Sequence, residues 1–117
     1  MKTYTGSCHC KAVTYEVSTD LANVISCNCS RCHMLGALLT FVPASDFRLL
    51  SGEENLQEYR FNKQVIEHLF CKTCGIQSFS RGSRPDGIKM VAINLRCVEG
   101  VDPGELSATP FDGKNKN

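Results

Sequence analysis

The sequence has no tryptophan, no long apolar run and almost no excess of charge of either sign. Its 117 residues include 13 lysines and arginines against 12 aspartates and glutamates, a formal net charge of +1. This balance argues against a dedicated nucleic-acid-binding protein, because such proteins usually present a strongly basic face. No stretch approaches the roughly 20 apolar residues that a membrane-spanning helix requires. Since no hydrophobic segment follows Lys2 either, we expect no signal peptide, no membrane partner and a cytoplasmic location.

Internal repeats, low-complexity tracts and linkers are also missing, which bears on domain organisation. A typical domain has roughly 100–150 residues, so a second domain in this chain would lack a core. Hydrophobic residues make up 42% of the chain, enough for one ordinary core. We therefore expect residues 1–117 to form a single domain, and the sequence leaves its oligomeric state open.

Short alternating or apolar segments predict a mainly β protein with short connections. Val13, Tyr15 and Val17 alternate with more polar residues at the period of a half-buried strand. Further strands are expected at 38–42, 58–61, 65–70, 76–80 and 90–95, with a hairpin turn at Asn62-Lys63, turns within 82–87 and a loose tail at 112–117. One short helix is expected, with Ser30 as its N-cap and its end near Gly36.

Cysteine is the residue present in excess, with eight in the chain. The spacing is C-x-C at Cys8 and Cys10, C-x-C-x-x-C at Cys27, Cys29 and Cys32, and C-x-x-C at Cys71 and Cys74, with Cys97 alone. Close-set cysteines cannot easily bridge to each other, because a disulfide requires Cα atoms roughly 4.4–6.8 Å apart with suitably directed Cβ atoms. The same spacing suits a tetrahedral metal bound by thiolates from two short loops. Metal binding is therefore favoured over a disulfide framework.

The two cysteine pairs at Cys8/Cys10 and Cys71/Cys74 together predict a closed four-thiolate site. Each pair lies next to a predicted strand, and Gly75 would ease the tight turn after the second pair. A metal there would close a chain loop of about 60 residues and stabilise a small domain strongly. A thiol redox role for Cys71 and Cys74 is weaker, since the pair lacks the strand-to-helix context of thioredoxin-like motifs.

The cluster of Cys27, Cys29 and Cys32 offers three thiolates, and three protein ligands with an open fourth position are the pattern of catalytic zinc. Either Cys97 or His33 could supply a fourth ligand. Each also has a simpler interpretation, Cys97 as a small buried hydrophobic residue at a strand end and His33 as a partly exposed helix residue. The sequence leaves these alternatives open.

The order of these clusters resembles the glutathione-dependent formaldehyde-activating enzyme family, to which the centromere protein V homologues belong. The similarity runs from about Gly6 to Gly113, and its supporting phrases are Gly6-Ser7-Cys8-His9-Cys10, Ser30-Arg31-Cys32-His33-Met34-Leu35-Gly36-Ala37, Asn94-Leu95-Arg96-Cys97, Gly100-Val101-Asp102 and Phe111-Asp112-Gly113. The resemblance implies an Mss4-like fold, in which coiled antiparallel β-sheets with at most short helices are organised around zinc. It also implies two zinc ions per chain, one structural at Cys8, Cys10, Cys71 and Cys74 and one catalytic at Cys27, Cys29 and Cys32.

The activity implied by the resemblance is that of a carbon–sulfur lyase joining glutathione and formaldehyde into S-(hydroxymethyl)glutathione. The partners would be a small thiol and a small aldehyde, and zinc would hold the thiol as its thiolate. Arg31, inside the cluster, is the best candidate for recognising a glutathione carboxylate, whereas Arg81, Arg84 and Lys89 are better explained as solvated surface charges. The alternative is a non-catalytic interaction module with two structural metals. The two hypotheses differ in whether a protein residue fills the fourth position of the second site.

Overall fold

Strands dominate the computed structural model, which describes residues 1–60 and 66–112. In these ranges the strands are β1 (Lys2–Ser7), β2 (Thr14–Thr19), β3 (Ile25–Cys27), β4 (Leu39–Pro43), β5 (Phe47–Ser51), β6 (Leu56–Tyr59), β7 (Glu67–Cys71), β8 (Phe79–Ser83), β9 (Lys89–Asn94) and β10 (Thr109–Phe111). One α-helix, α1 (Ser30–Leu35), and short 3-10 turns at Ala44–Asp46, Glu53–Asn55, Leu95–Cys97 and Pro103–Glu105 connect them. The expectation of a mainly β protein with only short helices is confirmed.

The strands form two sheets. A three-stranded sheet has the order β1-β2-β5, and a seven-stranded sheet has the order β10-β3-β4-β9-β8-β7-β6. Neighbouring strands are antiparallel throughout, apart from β10, which runs parallel to β3 at the edge of the larger sheet. The C-terminal strand thereby contacts the segment that carries Cys27.

The core lies between the two sheets and is centred on three aromatic rings. Tyr15 from β2 and Phe79 from β8 are almost wholly buried, and their ring centroids are 5.8 Å apart in an edge-to-face arrangement. Phe47, at the start of β5, lies 5.3 Å from the Tyr15 ring and 4.8 Å from the Phe79 ring. Aromatic pairs at such separations contribute beyond their buried area. The alternation of Val13, Tyr15 and Val17 therefore points into this core, as predicted.

The predicted elements match the structure in type more closely than in position. The strand expected at 76–80 begins only at Phe79, because the chain from Ile76 to Ser78 leaves the turn after Cys74 with isolated backbone hydrogen bonds, from Cys71 to Ile76 and from Asn94 to Ser78, rather than a continuous ladder. Four strands had no counterpart in the sequence analysis, namely β1, β3, β5 and β10. The predicted turn at Asn62-Lys63 and the tail residues 113–117 lie outside the described residues.

Helix α1 has the predicted extent, but the residue capping it differs from the prediction. Its N-cap is Cys29, whose sulfur accepts a hydrogen bond from the backbone N–H of Cys32, and Ser30 is the first helical residue. The helix ends at Gly36, whose φ of 66° is the left-handed conformation that glycine adopts readily. A thiol therefore takes the capping position expected for a hydroxyl. The residue that caps α1 is thus also a member of a cysteine cluster.

Among the described residues, no helix has the length and apolar character needed to cross a membrane.

Candidate metal centres

The first cysteine cluster brings together Cys8, Cys10, Cys71 and Cys74. Their sulfur atoms all lie within 4.8 Å of one another, and the Sγ of Cys10 is 3.7 Å from that of Cys8 and 3.6 Å from that of Cys71. A tetrahedral ion with metal–sulfur bonds of about 2.3 Å would separate its sulfur ligands by about 3.8 Å. All eight cysteines of the chain are unbridged. The cluster therefore has the geometry of a site that could hold a metal ion.

Two loops, one from each sheet, position these four sulfurs. Cys8 and Cys10 lie in the turn between β1 and β2, where the backbone N–H of Cys8 donates to the Val13 carbonyl at 3.1 Å. Cys71 ends β7 of the larger sheet, and the Gly75 N–H closes the following turn onto the Cys71 carbonyl at 2.8 Å. Gly75 has a φ of 80°, as its predicted role in the tight turn requires. The cluster therefore ties the two sheets together.

Hydrogen-bond donors surround the Cys71 sulfur. It accepts from the Asn55 side-chain amide at 3.1 Å and from the Thr73 backbone N–H at 3.4 Å. The backbone N–H of Cys74 contributes most to lowering the pKa of Cys71, to about 6. At Cys10 the backbone N–H of Ala12 favours the thiolate, but desolvation and the Cys71 thiol outweigh it and raise the pKa to about 11. Metal binding at this cluster therefore displaces protons, which makes the metal affinity dependent on pH.

The second cluster consists of Cys27, Cys29 and Cys32, whose sulfurs also lie within 4.8 Å of one another. Cys27 ends β3, Cys29 caps α1 and Cys32 lies in its first turn, so a strand end and a helix start converge on one point. Burial raises the pKa of Cys27 and of Cys32. Burial also opposes ionisation of Cys29, but backbone N–H groups and the neighbouring thiols outweigh it and lower the pKa. This cluster, too, could hold a metal ion.

Neither candidate for a fourth ligand joins the second cluster. The described residues offer no His, Cys, Asp or Glu atom within 4.8 Å of all three sulfurs. His33 is exposed on α1. Cys97 is half-buried at the end of a 3-10 turn, its thiol faces the Gln77 carbonyl at 3.9 Å, and burial together with Cys8 and Cys74 of the first cluster raises its pKa. Three sulfurs from this chain therefore form the second cluster.

Arg31 is held beside the second cluster by a residue that the sequence analysis missed. The Gln77 side-chain oxygen accepts hydrogen bonds from Arg31 Nε at 2.9 Å and from Nη2 at 2.6 Å. The Arg31 guanidinium also lies 4.8 Å from the centroid of the Tyr59 ring, within the range of a cation–π interaction. Gln77 lies in the segment predicted as a strand at 76–80, but it is 46 residues from Arg31, so no local pattern could have indicated their contact.

The other candidate cations form ion pairs with carboxylates or lie at the end of β9 away from Asn94. Arg81 pairs with Glu53 at 3.6 Å, and Arg84 pairs with Asp86 at 2.5 Å. Lys89 is exposed at the start of β9, the end opposite Asn94. An open depression of about 290 Å³ lies on the three-stranded sheet, and none of its lining residues is a cysteine. Arg31 is therefore the sequence-predicted cation that the structure places at a cysteine cluster.

The fold and the two clusters define a class: a β protein whose sheets are joined by a four-cysteine cluster and which carries a separate three-cysteine cluster. The chain belongs to the glutathione-dependent formaldehyde-activating enzyme family, since the family model matches residues 3–108. A Colletotrichum graminicola protein that carries this family's name is 24% identical over 110 residues, covering 86% of this chain. The crystal structure of a Rhodobacter sphaeroides protein superposes with a TM-score of 0.80 at 36% identity, covering 91% of this chain and 97% of that one.

The lengths of these relatives differ. The chain spans 57% of the length of the Colletotrichum protein but nearly all of the Rhodobacter chain. Both cysteine clusters lie inside residues 3–108, the part of this chain that the family model matches.

Proposed function

We propose that this protein is a zinc-dependent carbon–sulfur lyase of the S-(hydroxymethyl)glutathione synthase type, acting on thiol adducts of small aldehydes such as formaldehyde. Cys8, Cys10, Cys71 and Cys74 would hold a structural zinc, and Cys27, Cys29 and Cys32 a catalytic one. Residues 1–117 would act as one domain in a reducing compartment such as the cytoplasm, where thiols stay available.

The observation that carries the proposal is the difference between the two clusters. The first has four sulfurs and no free coordination position once it is filled, whereas the second has three sulfurs and no further ligand from the described residues. Structural zinc sites are closed with four protein ligands, and catalytic sites keep a position for water or substrate. Family membership supports a thiol substrate for that position.

Zinc fits both donor sets, because soft thiolates select zinc over harder divalent cations and a tetrahedral sulfur arrangement is typical of it. When bound at the second cluster, zinc would keep a thiol that enters the open position in its thiolate form. The reaction itself forms one carbon–sulfur bond between the thiol and the carbonyl carbon, and the thiol proton ends on the new hydroxyl oxygen. No oxidant or reductant is required.

The protein's own groups would bind and orient the thiol. Backbone N–H groups direct hydrogen bonds at the cluster, from Cys29 to the Cys27 sulfur at 3.5 Å and from Cys32 to the Cys29 sulfur at 3.4 Å. They hold the sulfurs in place before substrate arrives. Arg31, fixed by Gln77, would bind a carboxylate of glutathione and place the thiol near the open position, a contribution of proximity and orientation.

The test is a titration of the cobalt-substituted protein with glutathione. Thiolate-to-cobalt absorption bands report the number of coordinating sulfurs, so added glutathione should strengthen them. Cys29→Ser should hold one metal fewer and show no response, although serine is itself a good N-cap and should keep α1 intact. Cys97→Ser is the matched control and should behave like the wild type.

A second measurement separates binding from turnover. Formaldehyde and glutathione mixed with catalytic amounts of the zinc protein should reach the S-(hydroxymethyl)glutathione equilibrium faster than without protein, as followed by exchange NMR. A spectrum unchanged by glutathione and by other small thiols would instead support the non-catalytic zinc module.

A further inference from the structure

The arginines of this protein fall into two groups. Four have a carboxylate partner within 4.0 Å, namely Arg48, Arg60, Arg81 and Arg84. Within residues 1–60 and 66–112, neither Arg31 nor Arg96 has one. Arg31 is part of the helix that carries Cys32, and Arg96 donates a hydrogen bond to Gly36, the residue that ends this helix.

Arg31 and Arg96 are held at opposite ends of α1. Arg31 lies in the first turn and is fixed by the Gln77 side chain. The Arg96 side chain reaches from the 3-10 turn after β9, and its Nε donates to the Gly36 carbonyl at 2.8 Å, at the C-terminal end of the helix. Gly36 lies five positions after Arg31, about 7.5 Å along a helix axis. Cys32 lies between them.

Asn94 forms a hydrogen-bonded bridge between Gln77, which holds Arg31, and the backbone of Arg96. The Asn94 side-chain amide donates to the Gln77 carbonyl at 3.1 Å, and its oxygen accepts from the Arg96 backbone N–H at 3.2 Å. Gln77 is buried, with 9% of its surface exposed, whereas the hydrogen bond from the Arg96 N–H to Asn94 lies at the surface. Arg31 is half-buried and Arg96 is exposed. Both guanidinium groups retain N–H donors beyond those used in these bonds.

We propose that Arg31 and Arg96 together select thiol substrates that carry two carboxylates, one arginine for each carboxylate, on either side of the Cys27/Cys29/Cys32 cluster. The inference rests on the proposed function and adds Arg96 as a specificity-determining residue. Guanidinium groups suit this task because they remain charged and can donate two parallel hydrogen bonds to one carboxylate. The Gln77–Asn94 bridge would keep the two guanidinium groups at a set separation. Because hydrogen bonds already hold both arginine side chains, less conformational entropy would be lost when a ligand binds.

The experiment compares three thiols on the cobalt-substituted protein, by the change in the thiolate-to-cobalt bands. Glutathione has two carboxylates, its diethyl ester has none, and 2-mercaptoethanol is a small neutral control. We expect glutathione to bind at least tenfold more tightly than the diester at low salt, with the preference shrinking at high salt because charge interactions are screened.

Substitutions then assign the preference to residues. Arg96→Gln and Arg31→Gln should each weaken glutathione binding about fivefold while leaving the affinity for 2-mercaptoethanol unchanged. Arg96→Lys keeps a cation and should restore part of the preference. Arg48→Met removes an arginine from the three-stranded sheet and is the matched control, expected to bind all three thiols like the wild type.

The outcomes distinguish this proposal from the function on which it rests. If thiols alter the spectrum but glutathione and its diester bind equally, the proposed carboxylate selection by the two arginines is wrong, whereas the proposed thiol binding at the second cluster is supported. If Arg96→Gln lowers the melting temperature and weakens all three thiols alike, Arg96 only supports the helix end and the proposal is also overturned. If no thiol alters the spectrum, both proposals fail together.

Discussion

Gly6, in β1, faces the ring of Tyr15 across the sheet at a distance that only hydrogen can occupy. A Cβ built on Gly6 would lie 2.4 Å from both the Cζ and the hydroxyl oxygen of Tyr15. Tyr15 cannot withdraw, because it is wholly buried against Phe47 and Phe79. Gly6 therefore makes room for the central core residue.

Replacing Gly6 by alanine should consequently lower the free energy of unfolding by about 1–3 kcal/mol through overpacking. Chemical denaturation of the metal-loaded protein measures the change. Gly82→Ala is the control: it is also in a strand, and its Cβ would meet only Ile66 Cγ1 at an ordinary 3.7 Å. Equal stability of Gly6→Ala and the wild type would contradict the packing.

His68, in β7, couples stability to pH. Burial, followed by the positive charge of Arg31, lowers the pKa of His68 from 6.5 to about 4. The unfolded chain therefore binds more protons than the folded chain between these pH values, so the free energy of unfolding should fall as the pH drops from 6.5 towards 4. The slope should approach, at most, about 1.4 kcal/mol per pH unit.

The measurement is the difference in unfolding free energy between the wild type and His68→Gln at several pH values. Proton competition at the cysteines is common to both proteins and cancels in the difference. The wild-type advantage should shrink below pH 6.5. A difference that stays constant with pH would show that His68 does not contribute to the dependence.

At the scale of elements, the first cysteine cluster joins the β1–β2 turn to the end of β7. Cys71 is the most constrained member, buried and hydrogen-bonded to Asn55. We expect Cys71→Ser to leave a largely unfolded or aggregated protein, since the loss removes both the metal and the link between sheets. Cys97→Ser, at a cysteine outside both clusters, should fold and melt cooperatively. Circular dichroism and thermal melting of the two variants make the comparison, and a Cys71→Ser variant with an unchanged melting midpoint would refute it.

The second cluster is built differently, from three cysteines within six residues of one β3–α1 segment. This cluster and its helix are predictable from the sequence, because close spacing is a local property. The N-cap lies one residue before the predicted Ser30, since the Cys29 sulfur takes the capping position. Cysteine is not among the preferred N-cap residues, which are mainly those with a side-chain oxygen acceptor.

For the whole molecule, one cluster has four cysteines and the other has three. This difference predicts two bound metal ions that are released one after the other. Native mass spectrometry of the zinc-reconstituted protein should find two ions per chain. A chelator should remove the ion at Cys27, Cys29 and Cys32 first, with the fold retained, because that site has fewer protein ligands and does not join the sheets. A colorimetric zinc assay run beside circular dichroism follows both steps. Release of both ions in one phase with loss of structure would contradict separate roles.

Local information in the chain was enough to specify the class of fold, the short helix and the membership of both cysteine clusters. Period-two alternation places Tyr15 in the core, and ligand spacing within each short motif makes metal binding recognisable without any long-range contact. The four strands without a sequence signal are short or partly exposed, so they lack the alternation that burial of one face produces.

The surroundings of the clusters depend on which segments the packed sheets bring together. Gln77 reaches Arg31 across 46 residues, and Arg96 reaches Gly36 across 60, so neither contact leaves a local pattern in the sequence. Cys97 was an open candidate for the second cluster, but the pairing of β4 with β9 and the following 3-10 turn place its thiol at the Gln77 carbonyl, outside both clusters. Residue types and spacing specify what a cluster can bind. The positions of distant side chains around it follow from strand order and register, which are set by the packing of the whole core.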